Sequence, residues 1–366
     1  MTTRVGKIHR PFLLWTIILT VGGFFIFSSA SLGILAQNPL KFSSLAFNQF
    51  FLGLFLGSII CIVVARLDYK IWRKLALFLF LISIVLTLMV FIPSLGISHG
   101  GAKRWIDLGF ISFQPSEFLK IGFIVYFAAW LSTFKKKVDT FYWGLLPFLV
   151  FSAVVGTILL LQPDTDTFAV IIFASLAMYI SAGAKWKHIA IIFLIGVLSL
   201  AILAFTRPYI KQRITTMLNP NENAQTSSYQ LRQSLIAVGS GKIWGRGFGQ
   251  SVQKFEYLPE PVGDSVFAVA SEEFGFTGSI AIIIAFLMFG ISGFRIAAET
   301  TDDFGKFVTI GIVILIISQA FINIAGMIGV LPLTGIPLPF LSHGGTALFI
   351  TLIESGIIMS ISRYKK

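Results

Sequence analysis

Residues free of Asp, Glu, Lys and Arg run on for most of this chain. Such stretches cover 11–40, 42–65, 75–102, 121–134, 140–163, 167–184, 188–206, 274–294 and 307–353. A helix crosses ~30 Å of hydrocarbon in ~20 residues, so nearly every stretch is long enough to be a span. The short 121–134 stretch extends backwards through Glu117 and Lys120 to Phe113. The longest, 307–353, is predicted to be two helices broken at Pro332, Pro337 and Pro339, because proline removes a helical hydrogen bond and clashes with the preceding turn. The pattern predicts an all-α, polytopic integral membrane protein with ten transmembrane helices.

Composition agrees. Of 366 residues, 56% are hydrophobic and 12% charged, against ~45–50% and ~25% in soluble domains, so a water-soluble core is excluded. The net charge of +12 reads as topology and attraction to anionic lipid, with no nucleic acid partner. A single cysteine, Cys61, excludes disulfides, zinc sites and CxxC redox chemistry within one chain, and His9, His99, His188 and His343 share no metal-ligand spacing.

The first stretch follows Arg4, Lys7 and Arg10, is longer than a signal-peptide core and has no A-x-A site, so it is expected to be retained as a span. With the N-terminus in the cytoplasm, the inner segments carry seventeen basic residues, including Arg66, Lys70, Arg73, Lys74, Lys135–Lys137, Lys185, Lys187 and the C-terminal Arg363, Lys365 and Lys366. The short outer loops carry three: Lys41, Lys103 and Arg104. That bias predicts both termini in the cytoplasm. No repeat of 20–50 residues and no flanking soluble domain is visible, so residues 1–366 form one membrane domain. Its large extramembrane element is an outer loop at about 207–265 between spans 7 and 8, a length that signals function or disorder.

Within the loop, the glycines of Gly239–Gly249 suggest a phosphate cradle, yet Ile243 stands where a Walker loop needs Ser or Thr, and the spacing misses G-x-G-x-x-G. A re-entrant or surface loop is the plainer reading; Lys242 and Arg246 remain able to meet a phosphate. Asp264 lies between a Pro/Gly-rich turn and the eighth span. It is either that helix's N-cap or a general base at the lipid–water boundary whose burial raises its pKa. Glu272 and Glu273, about two turns further on, require partners in lipid, structural or substrate. Glu117 and Lys120, i and i+3 on one helix, can satisfy each other. Asp164 and Asp166 at an outer turn suit either capping or a hard cation such as Mg²⁺ or Mn²⁺. The Gly/Pro-rich break through Ser342 and His343 is tolerated at membrane depth only where protein or a watery cavity surrounds it.

Taken together, Gly101-Ala-Lys-Arg-Trp-Ile-Asp107, Gln114-Pro-Ser-Glu117-Phe-Leu-Lys120, Gln162-Pro-Asp164, Gln233–Gly241, Tyr257-Leu-Pro-Glu260, Asp264 and Leu331–Gly345 resemble the SEDS family of bacterial cell-shape and cell-division proteins, in order, from about residue 12 to 362. The resemblance implies ten spans in the bacterial cytoplasmic membrane. It also implies a glycosyltransferase that polymerises lipid II into peptidoglycan on the outer leaflet, and a class B penicillin-binding protein, the cross-linking transpeptidase, as partner. The family's proposed catalytic aspartate falls on Asp264. The chain departs from the family pattern nearby: Val262-Gly-Asp264-Ser replaces His-Thr-Asp-Phe, Gln162-Pro-Asp-Thr-Asp-Thr167 replaces Gln-Pro-Asp-Leu-Gly-Thr, and Ser342-His-Gly-Gly345 replaces Ser-Tyr-Gly-Gly. The stretch Gln253–Glu260 looks more like the division branch than the elongation branch.

Such a reaction needs a base on an acceptor hydroxyl and positive charge on a departing diphosphate. Asp264 is the expected base. Lys103, Arg104, Lys120, Arg207, Lys211, Arg213, Lys242 and Arg246, or a divalent ion, are candidates for the leaving group, with Glu117, Glu260, Ser342 and His343 as further substrate-binding candidates. Two other classes compete: a lipid-linked oligosaccharide flippase or other transporter, favoured by the proline-rich break, and a non-catalytic scaffold for a penicillin-binding protein.

Overall fold

A computed structural model describes residues 6–99, 102–107, 112–218 and 227–364. Gly101 of the first motif, the middle of the 207–265 loop and the basic residues Arg4, Lys365 and Lys366 lie outside the described residues.

Among the described residues the apolar stretches form helical rods: α1 Arg10–Gln37, α2 Pro39–Arg66, α3 Lys70–Met89, α4 Pro115–Thr133, α5 Phe141–Leu161, α6 Thr165–Ser181, α7 Trp186–Thr206, then α11 Val266–Glu299, α12 Asp303–Met327 and α13 Gly345–Ile361. Seven are long and apolar enough on their own to cross a membrane; α6 and α13 are shorter apolar helices, and α4 carries the Glu117/Lys120 pair. Three helices interrupt the long loop: α8 Pro208–Leu218, α9 Ser227–Ser240 and α10 Gln253–Glu256.

The predicted third span, 75–102, is shortened. Its helix ends at Met89, ahead of Pro93 and Gly96, and the chain turns into a three-stranded antiparallel sheet of β1 Gly96–His99, β2 Ala102–Asp107 and β3 Ser112–Phe113. Ile97 pairs with Trp105 and Ile106 with Phe113, β-branched and aromatic residue types favoured in strands. The fold is therefore helical with one small sheet.

Helix α12 is the hub, packed against α4, α6 and α11, while α7 lies at the periphery with most of its side chains exposed. Contacts sort the connections into two groups. Lys185 pairs with Asp139 at 3.2 Å, Lys135 pairs with Asp303, and Tyr69 donates to Asp302 at 2.5 Å, gathering the loops predicted as inner. At the other end the sheet, the 162–164 turn, the 207–265 region and the 328–344 break meet.

Helix α11 is interrupted at Gly275, whose φ of +66° and ψ of −162° leave the helical region, a conformation open to glycine at little cost. The freed backbone groups are taken up by the glycine-rich segment. Arg246 and Gly247 donate their N–H groups to the carbonyls of Glu272 and Glu273 at 3.0 and 2.9 Å, and Phe276 and Thr277 donate to the carbonyls of Lys242 and Ile243 at 2.9 and 3.1 Å. The segment is thus a plug that completes a broken helix.

Candidate functional site

Helix α12 holds the 328–344 break through two amides one turn apart. Gln319 Nε2 donates to Pro337 O at 2.9 Å, and the fully buried Asn323 donates from Nδ2 to Ile336 O and to Asp264 O, both at 2.9 Å. Ser342 Oγ donates to Gly263 O at 2.8 Å and accepts from Leu338 N at 2.7 Å, and His343 N donates to Val262 O. Backbone at this depth needs a partner for each polar group. The partners found here staple the turn before α11 to the break after α12.

That stapling decides what Asp264 is. Helix α11 begins at Val266 with Ser265 at the N-cap, and neither residue supplies a side-chain cap. Ser265 Oγ instead donates to Pro259 O at 2.8 Å and accepts from Gln230 Nε2 at 3.1 Å. The expectation that Asp264 caps the helix is corrected: its backbone is held by Asn323, and its half-buried carboxylate points at Gly335. A methyl group placed on Gly335 would lie 3.7 Å from Asp264 Oδ2, 3.8 Å from Arg104 Nη1 and 4.0 Å from Arg213 Nη2. One carboxylate and two guanidinium groups therefore border a small space that the missing side chain leaves open.

Each guanidinium is held from behind. Arg213, on α8, places Nη1 2.7 Å from Asp166 Oδ2, which also accepts from Gly335 N at 3.2 Å. Arg104, on β2, directs Nε to Gln162 O at 3.3 Å and Nη2 to Pro163 O, with Nη1 3.7 Å from Asp164 Oδ1. Arg213 Nη2 and Arg104 Nη1 thus remain directed at the space over Gly335. The two acids of the Gln162-Pro-Asp164-Thr-Asp166 turn orient these cations, and Asp164 also caps α6 by accepting from Thr167 N at 3.5 Å. Burial, and next the neighbouring Asp166, push the Asp164 carboxyl above its usual range against the pull of Arg104. Burial likewise pushes Asp264 up to about 7, helped by Glu260 and Asp166 and opposed by Arg213 and Arg104. Near neutral pH such a carboxyl can both accept and release a proton.

Other candidates lie elsewhere. Glu117 and Lys120 are buried in the bundle, 2.8 Å apart, and Lys120 Nζ donates to Gln319 Oε1 at 2.7 Å, so Lys120 reaches the site through Gln319 and the break. Arg246 pairs with Glu272 at 3.4 Å, and Lys242 is exposed on the plug. Both sit beside Gly275, about 14 Å along α11 from the Asp264 turn at 1.5 Å per residue. Lys103, Arg207 and Lys211 are exposed. His343 stacks on Phe27 with ring centroids 5.9 Å apart.

Sequence reading missed two buried ionisable residues. Lys254 is the partner that Glu273 requires: its Nζ lies 2.7 Å from Glu273 Oε1 and donates to Ser29 Oγ at 3.1 Å and Gly249 O at 2.8 Å. Glu272 accepts from Ser251 Oγ at 2.6 Å and from the backbone of Val252 and Gln253. A lysine in a polar loop carries no burial signal. Glu354, deep in α13 with Oε1 unpartnered, stands in an otherwise apolar stretch, a pattern that does flag an intramembrane charge.

No three His, Cys, Asp or Glu side chains among the described residues are grouped to hold a metal ion. Of the carboxylate oxygens at the Gln-Pro-Asp turn, Asp164 Oδ2 is the buried one left without a partner. Asp164 and Asp166 are each already engaged by an arginine, so the turn presents a hard cation with fewer free oxygens than the roughly six or more it takes.

Residues 9–366 match the family described as "Cell cycle protein", FtsW/RodA/SpoVE. The chain is 38% identical to Stage V sporulation protein E of Bacillus subtilis over the whole of both chains. It is 35% identical to the probable peptidoglycan glycosyltransferase FtsW of Geobacter sp., covering 98% of each. Among solved structures it resembles a chain described under "Structural coordination of polymerization and crosslinking by a peptidoglycan synthase complex", with a TM-score of 0.75, 22% identity, and 96% and 98% of the two chains covered. It also resembles the rod shape determining protein RodA of Thermus thermophilus, with a TM-score of 0.66, 22% identity, and 96% and 97% covered.

Proposed function

The chain belongs to the FtsW/RodA/SpoVE family of cell cycle proteins, and from that membership we propose a peptidoglycan glycosyltransferase that polymerises lipid II, with Asp264 as its base. The observation that carries the residue assignment is the space over Gly335, bordered by one carboxylate and two oriented guanidinium groups. A multi-pass membrane protein of this kind works on a lipid-linked substrate beside a penicillin-binding protein. We place it in the bacterial cytoplasmic membrane with both termini inside and the Asp264 end outside, on the lysine and arginine bias. Its full-length relatives named for sporulation and FtsW favour septal over elongation wall synthesis.

In the reaction, an acceptor sugar hydroxyl attacks the anomeric carbon of the donor. A new glycosidic bond forms, the bond from that carbon to the diphosphate oxygen breaks, and the electron pair leaves with the diphosphate. Asp264 takes the hydroxyl proton. Arg104 Nη1 and Arg213 Nη2 receive the charge that develops on the leaving oxygen; because their positions are fixed beforehand by Asp164, Asp166 and the Gln162 and Pro163 carbonyls, little reorganisation is required as the barrier is crossed. A single displacement with one base inverts the anomeric centre. No step is routed through a metal ion.

Asp264→Asn tests the assignment. It keeps size and backbone contacts but removes the base, so the protein should fold with unchanged melting temperature while polymerisation of lipid II by the purified protein with its partner falls ~10²–10⁴-fold. Activity within about threefold of the parent would move the base to Glu260 or Asp166. A flippase would translocate lipid II without making polymer, and a scaffold would do neither.

A further inference from the structure

Outside the space over Gly335 lies a groove of about 280 Å³ that the reaction as described leaves without a role. Its walls are the end of α1 and start of α2, with Gln37 and Lys41, Tyr229 of α9, and the segment 254–261 with Glu256, Tyr257 and Glu260. The floor is built. Gly33 packs so closely on Lys254 that a Cβ there would lie 2.1 Å from Lys254 O, Gln37 Nε2 donates to Phe255 O, and buried Lys254 is fixed by Glu273 and Ser29. On this anchored floor Lys41, Glu256, Tyr257 and Glu260 are exposed.

The groove shares neither arginine of the catalytic space and does not include Gly335. It meets Asp264 through one residue. Glu260 lines the groove, and its Oε2 turns back to within 3.5 Å of the position a Cβ would take on Gly263, next to Asp264; Ser265 N donates to Glu260 O at 3.2 Å. The base therefore stands between two compartments of different chemistry. One presents two guanidinium groups, suited to a diphosphate. The other sets one exposed lysine against two carboxylates, so it has no excess positive charge for an anion. Its two tyrosines provide flat faces beside polar handles, and its carboxylates, amide and ammonium provide directional acceptors and donors. That mixture fits an uncharged ring with hydroxyl groups on its edge and C–H groups on its faces.

The geometry points to this groove as the acceptor-sugar subsite: it binds the saccharide whose hydroxyl Asp264 deprotonates, with Tyr257 and Tyr229 against the ring and Glu260 and Lys41 on its hydroxyls. The inference rests on the glycosyltransferase reading and deepens it by separating acceptor from donor.

The probe is the soluble disaccharide unit of the substrate, which has the acceptor hydroxyl and no diphosphate. Saturation-transfer NMR on the purified full-length protein should show binding by the parent in the millimolar range. Tyr257→Ala and Lys41→Ala should each weaken it by about tenfold or more, the loss expected when one anchor of a small ligand is removed. Lys41 is exposed, so that variant reports even if Tyr257→Ala folds poorly. Arg213→Gln should leave disaccharide affinity within about twofold, since it acts on the diphosphate side. No binding by the parent, or equal binding by parent, Tyr257→Ala and Lys41→Ala, overturns the subsite. So does a Tyr257→Ala protein that binds sugar normally but loses only its activation by the penicillin-binding protein, which assigns the groove to the partner. Asp264→Asn separates the two readings: it should keep disaccharide binding while losing polymerisation, and if it polymerises normally the base assignment falls while the groove stands on its own measurement.

Discussion

Replacing Gly335 by alanine should leave folding intact and slow the reaction about a hundredfold. The backbone there is not in the left-handed region, and the added methyl would meet its nearest neighbours at 3.7, 3.8 and 4.0 Å, all ordinary van der Waals distances. Nothing has to move to admit it. A glycine-to-alanine change at a compatible position stabilises by roughly 0.4–1 kcal/mol through the unfolded chain, so the melting temperature should hold or rise slightly. The same methyl occupies the point where Asp264, Arg104 and Arg213 converge. Substrate atoms would have to shift by about an ångström or more, and misplacement of that size costs about 10²-fold. The assay is the initial rate of glycan-strand formation from lipid II, beside the melting temperature, with Gly22→Ala as control because a methyl on Gly22 meets nothing within 4 Å. Gly335→Ala within about threefold of the parent rate would refute the claim that substrate enters this space; a large drop in melting temperature would refute the packing argument.

The remaining expectations follow from the same network. With Asp264 pushed up to about 7, its carboxyl is protonated and idle below that pH, so kcat/KM should rise with pH through about 7, and the Asp264→Asn profile should lack that limb. Because the folded value lies above the unfolded ~3.9, ionising Asp264 costs stability as pH rises through the interval between them; the parent should lose melting temperature there relative to Asp264→Asn. Asn323→Ala should cost about 1–3 kcal/mol for each carbonyl it leaves unpaired and lower kcat more than it raises KM, since the Asp264 and Ile336 carbonyls lose their shared donor; an unchanged kcat in a folded variant would break the link to Asp264. Lys120→Met should cost about 3–5 kcal/mol by stranding Glu117, with part of the folded yield recovered in Glu117→Gln/Lys120→Met; a double variant that polymerises normally would show that Lys120 does no more than hold Glu117. Lys254→Met should strand Glu273 in the same way, read as loss of folded protein and partial rescue by Glu273→Gln.

The helices were legible because lipid leaves a one-dimensional record: every span must be apolar and roughly 20 residues long. The sheet was not: Ile97 falls within the 75–102 stretch predicted as a span, which Pro93 and Gly96 cut short, and Trp105 and Ile106 fall in a short outer loop for which no strand is predicted. Asp264 was legible as an acid at a helix entrance, but whether it caps that helix depends on Asn323, 59 residues away. Arg104 and Arg213 stood among eight candidate cations; three-dimensional convergence on a glycine separates them. Lys242 and Arg246 show the opposite case, basic residues in a glycine-rich segment whose backbone, by completing α11, accounts for the spacing.

The break at Gly275 also divides the length of α11 unequally. Residues 276–299 of α11 extend for about 36 Å at 1.5 Å per residue, already more than the ~30 Å of hydrocarbon. The stretch from Val266 to Gly275, about 15 Å more, is therefore surplus to the length a crossing needs, and it bears Glu272 and Glu273 with their partners Arg246 and Lys254. A helix opened at Gly275 therefore keeps a full crossing length beyond the opening, so it seats a buried ion pair and a loop without being shortened as a span.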